Sequence, residues 1–315
     1  MSAQRPRVQV ITQHRFGGPD VLETEERPCP GPAAGEVLVR VRAASVNPAD
    51  WLARSGAVPR YGEPPFTAGQ DVSGEVVEAG AGVTRFRPGD EVFGRIDGGG
   101  HATYVAAPAG RFAAKPHGLD HVHAAAAPTA ALLAWQALVE TARVGPGSRV
   151  LIDAAAGGAG HVAVQLAKAQ GAYVVGTARA DDHGFVRDLG ADAFVDDTAA
   201  DLAGTVHGLD AALDLVGGDH GPRALGTLHP GGLLLCAVPA DPGLAPEDAE
   251  ARGVRCAVVE ADAPDERLTR VAGLLADQRI RVHVAATPPF TDAARAHELG
   301  ETGRARGAVV LVPAN

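Results

Sequence analysis

Between residues 151 and 167 the chain reads Leu151-Ile152-Asp153-Ala154-Ala155-Ala156-Gly157-Gly158-Ala159-Gly160-His161-Val162-Ala163-Val164-Gln165-Leu166-Ala167. No other run constrains the fold as strongly. Apolar residues give way to a turn of small residues and then to an apolar-periodic stretch, so the run reads strand, tight turn, helix. Against a G-x-G-x-x-G spacing, Ala155 replaces the first glycine, while Gly157 and Gly160 hold the other two places. The missing side chains let backbone N–H groups approach an anion, and the helix N-terminus adds a favourable dipole. In this context, strand before and helix after, the run predicts a dinucleotide site.

About twenty residues further on, the end of the next strand is expected at the adenine ribose. There the chain reads Gly176-Thr177-Ala178-Arg179-Ala180, with no acid at the place where a 2′-hydroxyl would want one. Arg179 suits a 2′-phosphate, with Thr177 as an additional donor, so the reading is NADPH. Asp181 and Asp182 follow closely and leave a second reading, in which Arg179 is a solvated loop residue paired with Asp182.

The surrounding pattern fits. From residue 149 onward strand-like and helix-like stretches alternate. Strands are expected at 150–153, 173–177, 193–195, 211–216 and 233–238, and helices at 161–170, 183–189 and about 222–228. Such alternation calls for a parallel sheet covered by helices on both faces. The first third is different: short strands at 37–41, 72–77 and 91–93, broken by Gly-Ala-Gly at 80–82 and Arg-Pro-Gly-Asp at 87–90, predict a compact β domain. A helix at 291–299 and a last strand at 308–312 follow, and a last strand returning to the first domain would make that domain discontinuous. The expected domains are therefore 1–123 with 285–315, and 124–284.

With 315 residues, 46% of them hydrophobic, the chain can bury two cores. A formal net charge of -10 argues against a nucleic-acid surface, because phosphates would be repelled. Cys29, Cys236 and Cys256 show neither metal nor redox spacing, which fits a reducing compartment. Residues 1–18 lack the apolar core of a signal peptide, and the apolar stretch 124–139 is short for a membrane span and contains Pro128 and Gln136. A cytoplasmic protein is expected.

Together these segments resemble the medium-chain dehydrogenase/reductase superfamily, in its zinc-independent, quinone-oxidoreductase-like branch. The marks are Gly35-Glu36-Val37-Leu38-Val39-Arg40-Val41, Ser45-Val46-Asn47-Pro48-Ala49-Asp50, Ala68-Gly69-Gln70-Asp71-Val72-Ser73-Gly74 and Arg87-Pro88-Gly89-Asp90-Glu91-Val92-Phe93-Gly94. Pro128-Thr129-Ala130, the Gly-rich turn, His229-Pro230-Gly231-Gly232 and Gly303-Arg304-Ala305-Arg306-Gly307 complete the series. The resemblance implies an α/β chain: a Rossmann doubly wound parallel sheet that binds NADP, and a GroES-like β-rich domain that carries the substrate, with a cleft between them. It puts Asn47 beside the nicotinamide, Thr129 near the cofactor ribose or phosphates, and Ala156, Gly157, Gly158 and Ala159 at the pyrophosphate. Val216, Ala237 and Val238 would flank the nicotinamide half.

Zinc-containing relatives place Cys, His and a third ligand where this chain has Asn47, Gln70 and Thr129. A catalytic zinc needs about three N, S or carboxylate ligands, so no metal is expected. His117, His121 and His123 cluster in sequence, but a solvated connection explains them better than a metal site, and His161 suits packing or capping at the head of its helix. Without zinc, reduction of an activated alkene needs a hydride and a proton, the latter from a side chain or water. Tyr61 is the tyrosine to test as donor, its other reading being an aromatic wall, while Asp50 suits anchoring its own turn. The expected activity is NADPH-dependent reduction of a quinone or of a carbon–carbon double bond conjugated to a carbonyl. A non-catalytic NADPH-binding sensor is the alternative. The apolar run 254–259 near the end of the sheet, where relatives commonly pair, suggests a homodimer.

Overall fold

The computed structural model describes residues 6–198, 201–237, 243–261 and 265–314, and the chain divides into two compact units. Unit 1 comprises 1–129, 263–276 and 282–315; unit 2 comprises 130–262 and 277–281. The bounds differ from those expected at 124–129, 263–276 and 282–284. The chain passes from one unit to the other within the helix Pro128–Ala134, and the helix Asp265–Ala276 belongs to unit 1. That helix buries Leu268, Val271 and Leu275, spaced as one helical face, and contacts the unit 1 strand Phe112–Ala114.

Unit 1 begins with β1 (Arg7–Thr12) and β2 (Glu23–Pro28), an antiparallel pair. Its larger sheet is built on β3 (Glu36–Val46), β4 (Asp71–Ala79), β5 (Glu91–Arg95), β6 (Tyr104–Pro108) and β7 (Phe112–Ala114). β3 pairs antiparallel with both β4 and β6, β4 with β5, and β5 with β7. Val37, Val39, Val41, Val72, Val76, Val92 and Phe112 are buried in one core, with alternate residues of β3 on the same face. The helix Pro48–Ser55 starts where Pro48 fixes the first turn and ends at Gly56, whose φ of 86° only glycine adopts without strain.

Unit 2 carries β8 (Arg149–Ile152), β9 (Tyr173–Ala178), β10 (Ala193–Asp196), β11 (Leu209–Asp214), β12 (Leu228–Cys236) and β13 (Arg255–Val258). All pair in parallel, in the order β10-β9-β8-β11-β12-β13. The order reverses between β8 and β11, and in such sheets that is where a ligand crevice opens at the strands' carboxyl ends. Leu151, Val175, Leu209, Ala212 and Leu234 are buried on the sheet. The chain then returns to unit 1 with β14 (Val284–Ala286) and β15 (Ala308–Leu311), and β15 pairs antiparallel with β3. The apolar stretch at 124–139 spans the end of the helix His121–Ala126, the helix Pro128–Ala134 and the start of a π-helical segment Trp135–Thr141. Among the described residues no helix is long and apolar enough to cross a membrane.

Candidate functional site

In unit 2 the turn after β8 leads into the helix Gly160–Ala169. It is a tight turn: Gly157 N–H donates to the Ala154 carbonyl at 2.9 Å, and Ala154 takes a φ of 47°, rare for a residue with a side chain. Gly160 is needed sterically, since a Cβ there would stand 2.1 Å from the Ala154 carbonyl oxygen. The N–H groups of Ala156, Gly158, Ala159 and Gly160 find no acceptor among the described residues. Four unsatisfied donors at the head of a ten-residue helix are the donor set a diphosphate needs. Buried His161 places Nδ1 2.9 Å from the Gly157 carbonyl, so of packing and capping it is packing that it does at the head of its helix.

At the ends of the neighbouring strands, Asp153 and Asp214 are both buried. Asp214 accepts the N–H groups of Val216 and Gly217, each at 2.9 Å, which shapes the turn carrying the exposed Val216 side chain. Burial pushes the Asp214 carboxyl above its ordinary range. Thr177 is 1% exposed and its hydroxyl donates to Asp153, so it has no proton left for a phosphate. This corrects the expectation of Thr177 as a phosphate donor. Arg179 lies one residue past β9, half-exposed, with Nε 4.0 Å from Asp182. The pairing with Asp182 is the one expected of Arg179 in the second reading, and the residue follows the end of the second strand. Ala237 follows β12 and donates its N–H to the Asp214 carbonyl, whereas Val238 lies outside the described residues.

Unit 1 holds a different kind of site. Asp71, fully buried at the start of β4, accepts from Asn47 Nδ2 at 3.1 Å, Thr129 N–H at 3.0 Å and the Thr129 hydroxyl at 2.8 Å. Arg95 donates Nε to the Thr129 hydroxyl at 3.1 Å and Nη2 to Gln70 Oε1 at 3.2 Å. Burial raises the Asp71 carboxyl to about 6, opposed by the Arg95 charge and the donors from Thr129 and Asn47. Asn47, Gln70 and Thr129 therefore do converge, but as two amides and a hydroxyl already committed to a carboxylate and a guanidinium. Asp50 anchors the turn, as expected: it accepts from Asn47 N–H at 2.8 Å and Gly69 N–H at 3.0 Å. The Tyr61 hydroxyl donates to the same carboxylate at 3.1 Å, and burial together with the Asp50 charge holds its pKa far above the usual phenol value. A phenol so held is a weak proton donor.

Comparison with known proteins agrees with this architecture. Residues 33–117 match the alcohol dehydrogenase GroES-like domain, and residues 189–311 match the family described as zinc-binding dehydrogenase. The quinone oxidoreductase structure from Coxiella burnetii superposes with a TM-score of 0.92 at 32% identity, covering 98% of this chain and all (100%) of that one. The Escherichia coli quinone oxidoreductase complexed with NADPH gives 0.91 at 28% identity over 97% of this chain and 100% of that one. A chloroplastic quinone-oxidoreductase homologue of Spinacia oleracea is 41% identical over 192 residues, which are 57% of this chain and 58% of that protein. The chain belongs to the medium-chain dehydrogenase/reductase superfamily, in its quinone-oxidoreductase-like branch. It spans less than two thirds of the curated relatives it matches.

Within that superfamily frame, Asp71 and Arg95 are the residues sequence reasoning missed. Asp71 stood inside a quoted motif, and an acid directly before Val72 at the head of a strand is the signal that could have found it. Arg95 gives no local signal. The neighbouring histidines make separate attachments: His121 reaches Ser73 at 2.8 Å and Glu91 at 3.1 Å, and His123 reaches Asp120 at 2.8 Å. Among the described residues, the metal-capable grouping is instead His14, Glu23 and Glu25, at the surface around β2.

Proposed function

We propose that the chain is an NADPH-dependent reductase acting on a quinone or on a carbon–carbon double bond conjugated to a carbonyl. The observation carrying this reading is the set of unsatisfied N–H donors at 156–160, in a chain of this superfamily whose metal-ligand positions are two amides and a hydroxyl. When bound, NADPH supplies the hydride. Ala156, Gly158, Ala159 and Gly160 hold the diphosphate through backbone N–H, Gly157 shapes their turn, and Arg179 pairs with the 2′-phosphate. Val216 and Ala237 line the nicotinamide half. In unit 1, Asp71 orients the Asn47 amide, and Thr129 is fixed by Asp71 and Arg95.

Two amides and a hydroxyl leave no cation to polarise an unactivated alcohol or ketone, so the substrate must bring its own activation through conjugation. The enolate oxygen that forms needs only a hydrogen-bond donor. Water supplies the proton, because the Tyr61 hydroxyl is held as a donor to Asp50 and keeps its own. We further propose a homodimer through the free edge of β13, where Val258 is 59% exposed on a terminal strand.

A panel of a 1,4-quinone, a 2-alkenal, a cyclic enone and a secondary alcohol tests the reaction, read by NADPH consumption and product mass. At least one of the first three should turn over, chelators should leave the rate unchanged, and the alcohol with NADP should be inert. Alcohol oxidation alone, or turnover needing stoichiometric zinc, would overturn the reading. Fluorescence titration should give NADPH at least about tenfold tighter than NADH, a difference that Arg179→Ala removes.

A further inference from the structure

The function proposed above leaves one pair of side chains in unit 2 unused. Asp153 is the residue between β8 and the turn with the unsatisfied donors, beside the point where the strand order reverses. One of its oxygens accepts from Ala154 N–H at 3.0 Å and from the Thr177 hydroxyl. The other lies 2.7 Å from Nδ1 of His220. The His220 side chain is 27% exposed, and its Nε2 has no partner among the described residues.

This arrangement fixes the chemistry of the free nitrogen. Asp153 can only accept from the ring, so Nδ1 carries the hydrogen. In the neutral ring Nε2 then presents a lone pair, which repels an anion. In the cation it presents an N–H, which an anion accepts. The charges around His220 favour the cation. Asp153, Asp214 and Asp197 face it, with Arg223 opposing, and the hydrogen bond to Asp153 is the main cause holding its pKa above the ordinary histidine value. Arg223 is turned onto the Asp197 carbonyl at 2.7 Å, and Arg179 also acts on the Asp197 carboxyl. Three carboxylates thus stand around His220 at the carboxyl ends of β8, β10 and β11, a charge that would repel a polyanion and that a protonated His220 offsets.

We infer that His220, held by Asp153, is a proton-dependent contact for a phosphate group of the bound dinucleotide. The inference rests on the NADPH reading. It makes cofactor binding take up a proton whenever His220 starts neutral, so affinity is highest at low pH and falls as pH rises through the pKa of His220.

NADPH and NADH affinities are to be measured by fluorescence between about pH 6 and about pH 9, for the parent protein and His220→Gln. Calorimetry near pH 8 in two buffers of different protonation enthalpy counts the protons. NADPH affinity should fall about tenfold over that range in the parent. In His220→Gln only the titration of the phosphate itself should remain, which weakens binding at the acid end. Proton uptake of up to about one per site should vanish with the histidine. Asp153→Asn should move the fall to lower pH. A fall confined to NADPH assigns the contact to the 2′-phosphate; the same fall for NADH assigns it to the diphosphate. Affinity independent of pH in the parent, or the parent's profile retained in His220→Gln, overturns the inference. Binding of neither nucleotide at any pH would overturn the cofactor reading beneath it, and is distinguished by that total loss.

Discussion

The two units build polar sites by opposite means. In unit 2 the donors at 156–160 are backbone groups, placed by five consecutive residues and the sterics of Gly160. In unit 1 the site is made of side chains: Asp71 reaches Asn47 across 24 residues and Thr129 across 58, and Arg95 reaches Thr129 across 34. A backbone site needs only local conformation, so it tolerates remote change and fails when its own turn is altered. A buried side-chain network depends on every member being satisfied, so one deletion leaves several groups unpaired.

The sharpest way to break that contrast is at Asp71. Asp71→Ala strands the Arg95 charge and leaves the Thr129 and Asn47 donors without their acceptor, which should cost about 3–5 kcal/mol of folding stability. Denaturant unfolding measures it, and a loss below about 1 kcal/mol would mean that water re-satisfies the network. The pH dependence follows from the same carboxyl. Burial raises Asp71 from its ordinary 3.8 to about 6, so the ionised form is the penalised one. That penalty is complete above about pH 6 and is relieved as pH falls toward 3.8, so Asp71 by itself makes the fold more stable at the acid end of this window. Asp71→Asn removes the titration. The stability gap between parent and variant should therefore widen on going from about pH 7 to about pH 4.5, by on the order of 2 kcal/mol. A gap constant with pH would place the carboxyl in a far wetter setting.

Gly160→Ala is the matching test in unit 2. The added Cβ meets backbone at 2.1 Å, so the turn itself must shift. NADPH affinity should fall about a hundredfold, and stability should fall by about 1–3 kcal/mol, less than at Asp71. Equal damage to stability at both positions would erase the distinction between the sites.

The same distinction explains what could be read from the sequence. The parallel sheet and the tight glycine-rich turn after its first strand were legible because periodicity and glycine spacing act over a few residues. Asn47, Gln70 and Thr129 could be singled out through family resemblance. Their attachment to Asp71 and Arg95 could not, because no local pattern reports a bond across 58 residues. The His220–Asp153 pair, 67 residues apart, was hidden for the same reason. Thr177 shows the same limit: its hydroxyl is spent on Asp153, 24 residues away. The helix Asp265–Ala276 packs in unit 1, which its sequence does not announce, because amphipathicity shows that a helix has a buried face and says nothing about which sheet receives it.

A smaller effect is expected at Tyr61, and it separates a wall from a donor. Its ring packs 5.2 Å from that of Phe66, and its hydroxyl donates to Asp50, which also holds the Asn47 and Gly69 N–H groups. Passing that proton to a substrate would break the bond to Asp50 and leave a phenolate beside a carboxylate, both poorly solvated. Water carries no such penalty. Tyr61→Phe keeps the ring and removes only the hydroxyl, and Asp50 retains two backbone donors. The variant should lose less than about threefold in kcat on whichever conjugated substrate the parent reduces, and about 1 kcal/mol or less in stability. A solvent isotope effect of unchanged size in parent and variant would accompany that result, since the proton would come from the same source in both. A loss in kcat of a hundredfold or more, with KM and NADPH affinity unmoved, would instead make Tyr61 the donor. Its bond to Asp50 would then have to open during turnover.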